Sequence, residues 1–305
     1  MDQENEDMPN TNIDELLAAS INSGGLSQEQ IAQILHFRIF GNRSGFLHLQ
    51  GLPIGHIPAT PTSREALAKP DDASEKCLLQ ATALLGQAIG YPQESNGAII
   101  NNFFPHQAQS KAASSDSYDT ELDLHTENAF HAVLPDYLLL LCLRQDPLGE
   151  AITYVTSIDA MLEHLSNDDV AYFFNQKYNF LSDYSATSKN CRLDINKHQS
   201  VLYGDPDSPY FRFDPQFMVA PAPQAQAMLN HLNNIAWAVK QPVKLSTGDL
   251  LVIDNRKTAH ARSPFTALLD GSDRWIQRTF AITGQHYYTE MLGKNQRVYD
   301  LVAEL

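Results

Sequence analysis

From Gly97 onward the chain is written in short apolar runs separated by turn residues, a rhythm that restricts it to a fold built mainly from strands. The runs fall at 98–104, 137–144, 151–157, 178–184, 199–203, 210–214, 243–246, 249–253 and 274–283. The longest unbroken apolar stretch, Leu138 to Leu143, is strand-sized and far short of the about 18 residues that mark a membrane span. Helical patterns interrupt at 157–165, 167–175 and 223–239. Upstream, Ser27 to Phe40 and Ser74 to Gly90 read as capped helices, Gly45 to Ile54 alternates as a strand, and the proline-rich stretch Pro53 to Pro70 reads as a loop. Many short strands with a few helices predict an α+β, mainly β architecture: a double-stranded β-helix, or jelly-roll barrel, with flanking helices. The expected layout is a disordered N-terminus over 1–12 and a single domain over 13–305, with its core at about 97–285.

Charge narrows the partners. Lys and Arg number 21 against 36 Asp and Glu, a net charge of -15, so neither nucleic acid nor an anionic membrane surface is expected to bind. A small-molecule substrate is the remaining expectation. Cys77, Cys142 and Cys191 are too scattered for a disulfide framework or a zinc cluster. The acidic, polar start lacks the basic and apolar regions of a signal peptide, which predicts a cytoplasmic protein. The amphipathic helix at 223–239 is expected to pack on the barrel or to make a homo-oligomer contact.

Chemistry enters at His125-Thr126-Glu127, just after a long polar segment, His106 to Asp123, of a length that is usually functional or mobile. Side chains two apart on extended backbone share a face, so one imidazole and one carboxylate can reach one metal ion. A third ligand must come from elsewhere. His260 is one candidate, expected just past the end of a strand that follows the Thr247-Gly248-Asp249 turn. His131, four residues from Glu127 and so suited to a helix, is the other. Two histidines and one carboxylate on one face of an octahedron leave three positions open, the ligand set of a non-haem Fe(II) oxygenase, with room for a bidentate 2-oxo acid and O2. Zinc would instead favour a tetrahedral site. Arg274 and Arg278 follow His260 by 14 and 18 residues and share a strand face. A guanidinium fork matches a carboxylate, so one can hold the distal carboxylate of 2-oxoglutarate and the other a substrate carboxylate.

The segments HTENAFH, PDYLLLLCLR, GDLLVIDNRKTAHARSPF and DGSDRWIQRTF together resemble the clavaminate synthase-like oxygenases of the TauD-type superfamily, which include asparagine, arginine and lysine hydroxylases. The resemblance covers roughly Gly97 to Thr283. It implies an Fe(II)/2-oxoglutarate-dependent dioxygenase, with His125, Glu127 and His260 as iron ligands. It implies Arg274, helped by Thr153, for 2-oxoglutarate, and Arg278 for the substrate's α-carboxylate. Asn101 stands where the family has Gln and, with Glu127, would hold the α-amine. Asp214 matches the family's contact to the substrate side chain, and the segment at about 106–123 would be a lid. Arg212, two residues from Asp214, either faces the pocket with it or pairs with it at the surface, and Asp183 is a further tip contact. The implied substrate is a free L-amino acid, lysine or arginine first, hydroxylated at C3 or C4. Asparagine or glutamine, desaturation or ring closure at the same site, and a metal-binding jelly-roll without turnover are the alternatives.

Overall fold

The leucine-rich run at 137–144 becomes the eight-residue strand Tyr137–Arg144, and its two faces define the layers. Successive side chains on a strand point to opposite sides. Leu139, Leu141 and Leu143 pack with Ile34, Phe37, Leu78 and Leu85 of two helices. Leu138 and Cys142 pack with Val155 and Val243 of a second sheet. Both faces are covered, which is why the run is continuously apolar rather than alternating. Each leucine so buried contributes about 1.5–3 kcal/mol relative to leaving it in water.

The computed structural model describes residues 13–63, 66–92, 94–106, 117–181, 196–284 and 297–299. In chain order the strands are β1 (Phe46–Leu49), β2 (Gln87–Ile89), β3 (Asn101–Phe103), β4 (Leu122–His125), β5 (Tyr137–Arg144), β6 (Thr153–Ser157), β7 (Lys177–Phe180), β8 (Asn196–Ser200), β9 (Leu202–Asp205), β10 (Ser208–Phe211), β11 (Met218–Val219), β12 (Gln241–Val243), β13 (Leu250–Asp254), β14 (Thr258–Arg262) and β15 (Trp275–Ile282). The larger sheet runs β1-β13-β5-β15-β2, with β3 also on β15. The smaller runs β12-β6-β14-β4, and β10-β9 and β11-β7-β8 stand apart. Pairing between these strands is antiparallel throughout.

Helices α1 (Ile13–Ser23), α2 (Gln28–Phe40) and α3 (Ala73–Leu85) lie on the N-terminal side of the chain. Helix α2 begins as expected: Ser27 and Gln30 form a reciprocal capping box. Helix α3 is shorter than the predicted Ser74–Gly90. It stops at Leu85, and Gln87–Ile89 pairs with β15 instead, because an open strand edge there outweighs helix propensity. Helices α4 (Ile158–Met161), α5 (Asn167–Asn175) and α6 (Pro223–Val239) match the predicted positions. Helix α6 packs through Leu229, Leu232 and Ala236 into a cluster that includes Ala259 and Ala261 of β14.

Three expectations need correcting. Only Phe46–Leu49 of the 45–54 segment is strand. His260 does not follow the end of β13: the chain turns at 255–257 and His260 is the middle residue of the next strand, β14. Arg212 and Asp214 lie beyond β10 rather than on it. The expected disordered 1–12, most of the expected lid (107–116) and Asp183 fall outside the described residues. Among the described residues no helix is long and apolar enough to cross a membrane.

Candidate active site

Antiparallel pairing places His260 directly opposite His125, with ring centroids 4.3 Å apart. The chain leaves β4 at His125, so Glu127 can turn its carboxylate back toward both rings. Its Oε2 lies 3.3 Å from His260 Nε2 and 3.7 Å from His125 Nε2. One donor atom from each of the three residues falls within 4.8 Å of the others, a spacing suited to a single ion. His125 Nδ1 donates to the Asp123 carbonyl at 2.8 Å, which fixes the tautomer that leaves Nε2 free for a metal. The alternative ligand His131 is elsewhere: its Nδ1 accepts from the Val133 amide at 2.9 Å and its ring packs edge-on to Tyr91.

The site's electrostatics also fit a cation. Burial opposes charge on Glu127, yet Arg278 and both imidazoles hold its carboxyl well below the usual range. Burial would lower His125, but the hydrogen bond and charge of Glu127, with Asp214 and the Asp123 carbonyl, lift it to about 9. Burial, then the charge on His125, pushes His260 down to about 4. Without a metal, His125 therefore keeps a second proton, on Nε2, at neutral pH, and a metal must expel it. Mn(II) affinity is expected to weaken about tenfold per pH unit below the His125 value of about 9. Calorimetry in buffers of different ionisation enthalpy would read the released proton. A flat affinity through the neutral range would contradict this.

Asn255, in the turn before β14, holds Glu127 from behind. The Glu127 amide donates to Asn255 Oδ1 at 2.8 Å, and Asn255 Nδ2 donates to the carbonyls of Glu127 at 3.1 Å and Pro135 at 2.9 Å. Asn255→Asp keeps the acceptor but turns both donors into repulsion. Metal affinity is expected to fall by about 10–100-fold, as for other partners that orient a ligand. Titration of the folded variant with Mn(II) checks this, and unchanged affinity would exclude the role.

A cleft opens beside the triad, lined also by Phe103, Thr153, Arg262, Arg274, Ile276 and Arg278. Arg274 just precedes β15 and Arg278 lies within it, roughly 13 Å apart along one face at strand spacing. Their surroundings differ. No carboxylate lies within ion-pair distance of Arg274 among the described residues, and burial lowers its pKa. Arg278 is bracketed by acids: it donates to Glu127 Oε1 at 2.8 Å and to Glu94 Oε2, between the rings of Phe103 and Phe280. Thr153 opens β6 opposite Arg262, with its side chain buried. Asn101 sits opposite Arg278 on β3, and its buried Oδ1 has no hydrogen-bond partner among the described residues. Asp214 is brought near His125 by paired bonds between Phe213 and Thr126, of 2.6 and 3.1 Å. The Arg212 guanidinium lies over Phe180 and Tyr203.

Residues 42–280 match the family described as taurine catabolism dioxygenase TauD, TfdA family. The chain belongs to the TauD/TfdA family. This TauD/TfdA chain is 31% identical over 256 residues to clavaminate synthase 2 of Streptomyces clavuligerus, covering 82% of this chain and 78% of that one. Its fold is similar to asparagine oxygenase solved with Fe(II), 2S,3S-3-hydroxyasparagine and succinate. The TM-score is 0.84, at 27% identity over 93% of this chain and 89% of the other. It is also similar to the non-heme iron oxygenase OrfP solved with Fe, succinate and (3S)-hydroxy-L-Arg. There the TM-score is 0.82, at 27% identity over 93% and 90% of the two chains.

Sequence reasoning had not singled out Glu94, Asn255, Arg262 or Phe265. The sequence carries one local mark beside Glu94, the turn residues Ser95-Asn96-Gly97, and in the structure these take positive φ values of 44°, 54° and 84°. Such backbone is costly for the two non-glycine residues and is stored where a side chain must be held in place.

Proposed function

We propose that this dioxygenase hydroxylates C3 or C4 of a free L-amino acid, with lysine or arginine favoured. The observation that carries the reading is a single cleft that holds the triad together with Arg274, which has no acidic partner among the described residues, and Arg278, which is paired with Glu94. The enzyme class is that of an Fe(II)- and 2-oxoglutarate-dependent dioxygenase that uses O2. On this reading the two facing antiparallel sheets form the double-stranded β-helix of a single oxygenase domain.

His125, Glu127 and His260 would hold the iron, a donor set of two imidazoles and one carboxylate suited to a ferrous ion. Iron, 2-oxoglutarate and O2, when bound, would supply the oxidising chemistry, one oxygen atom going to the substrate and the other to succinate, with CO2 released. The chain's part is placement. Arg274 and Thr153 hold the distal carboxylate of the co-substrate. The α-carboxylate of the amino acid takes over the guanidinium of Arg278, which frees Glu94 and the Asn101 carbonyl to accept from the α-ammonium group. A zwitterion thus replaces an internal ion pair without changing the net charge. Asp214 then meets the side-chain tip and favours a cation. Anchoring both ends aims one carbon at the metal and fixes the position of attack.

A second reading, asparagine or glutamine, draws support from Arg212. Its guanidinium, two residues from Asp214, offsets that carboxylate and makes an amide tip a fit partner. A screen of proteinogenic amino acids for succinate release with Fe(II) tests both readings. The expected product is one oxygen heavier than the substrate. A loss of two hydrogens would indicate desaturation or ring closure, and no succinate with any amino acid would end the proposal.

A further inference from the structure

We infer that Phe265, braced by Arg262, sets the chain length of the 2-oxo acid that this site accepts. The inference rests on the reading of Arg274 as the clamp for the distal carboxylate.

Arg274 has no acidic partner among the described residues, so something other than an ion pair must fix how far its guanidinium stands from the metal ligands. The structure offers an aromatic ring. The guanidinium of Arg274 lies 5.9 Å from the centroid of Phe265, and that of Arg262 lies 5.1 Å from the same centroid. The ring is itself held. Phe265 is 6% exposed and its amide donates to the Tyr118 carbonyl at 2.9 Å. Arg262 is anchored on its far side: it donates to the Ser117 carbonyl, and at 3.0 Å to both Ser117 Oγ and the Thr120 carbonyl.

The chain of contacts runs in one direction. Residues 117–120 fix Arg262, Arg262 and Tyr118 fix the ring, and the ring limits how far Arg274 can retreat. Arg262 also stands opposite Thr153 in the β14–β6 pairing, at the same end of the cleft. A rigid stop behind the guanidinium makes the distance from metal to clamp a fixed length. A five-carbon diacid then fits, and one longer by a methylene is refused. Arg262 is on this view a positioning residue that acts through Phe265.

The test is binding to the Mn(II)-loaded full chain without O2, read by calorimetry with 2-oxoglutarate and with 2-oxoadipate. Phe265→Leu keeps an apolar side chain but removes the ring. It is expected to weaken 2-oxoglutarate binding about tenfold, the fold-change of a cation–π contact of about 1.4 kcal/mol. It is also expected to shift the preference toward 2-oxoadipate by a similar factor. Arg262→Met keeps the ring but loosens it, and should move the same ratio in the same direction. It carries the test alone if Phe265→Leu does not fold. KM for the 2-oxo acid should rise while KM for the amino acid stays near its wild-type value. An unchanged ratio of the two oxo acids, or an equal loss of both substrates, would overturn the assignment while leaving the co-substrate reading intact. A wild-type protein that bound neither oxo acid would instead remove the co-substrate reading itself.

Discussion

Replacing His260 with alanine is expected to abolish metal binding and, with it, succinate formation. The loss should exceed the roughly 10–100-fold that accompanies removal of a residue that merely orients a ligand, because the donor atom itself is gone. Two donors, His125 and Glu127, cannot define one face of an octahedron, and a ferrous ion held by them alone is exposed to water and easily lost. The fold should survive. Ala259 and Ala261 belong to the apolar cluster around α6, so β14 keeps that packing when His260 is shortened. Circular dichroism and a thermal melt would establish that the variant is folded, and titration with Mn(II) would then read the loss. A folded His260→Ala protein that still binds metal as the wild type does would mean that the ion sits elsewhere.

Why His125, Glu127 and His260 were readable while their supports were not follows from what periodicity records. β5 announces itself because both of its faces are buried, and α2 because Ser27 and Gln30 form a local box. β14 is silent. Its inner face carries Thr258, His260 and Arg262 and its outer face two alanines, so Thr-Ala-His-Ala-Arg shows no apolar run even though all five residues are buried. A strand that carries chemistry inward spends its hydrophobic signal on function. That is why the histidine was expected past the end of β13 rather than within a strand of its own. Asn255 and Glu94 act through contacts 128 and 184 residues away in the chain, and nothing local marks such a reach. Arg278 shows the same limit from the other side. Its place on the site face could be read from spacing, but its two carboxylate partners come from separate segments, and only the fold brings them together. Asn101 lay on the expected strand and pairs with Arg278 across it, while the guanidinium is met by Glu127 and by Glu94, seven residues before Asn101.

Removing the charge of Arg274 is expected to separate stability from function. Arg274→Met keeps length and apolar stem but deletes the guanidinium. Binding of 2-oxoglutarate should fall by about 30-fold or more, since truncating one partner of a buried, hydrogen-bonded charge pair costs about 2–5 kcal/mol. The free protein should respond in the opposite sense. Burial lowers the pKa of Arg274, and a base whose pKa falls on folding is one whose charge the fold disfavours. Arg274 remains charged at neutral pH, so that cost is present throughout the working range, and methionine in its place relieves it. The ligand-free variant should therefore melt higher than the ligand-free wild type, a trade of stability against function of the kind binding sites commonly show. Co-substrate reverses the order. Saturating 2-oxoglutarate supplies the missing carboxylate and stabilises the metal-loaded wild type, by about 2.7 kcal/mol at a hundredfold excess over Kd, but leaves the variant where it was. Four melting curves, two proteins with and without 2-oxoglutarate in the presence of Mn(II), decide the matter. A variant that melts lower in both conditions would show that Arg274 supports the fold rather than waiting for an anion.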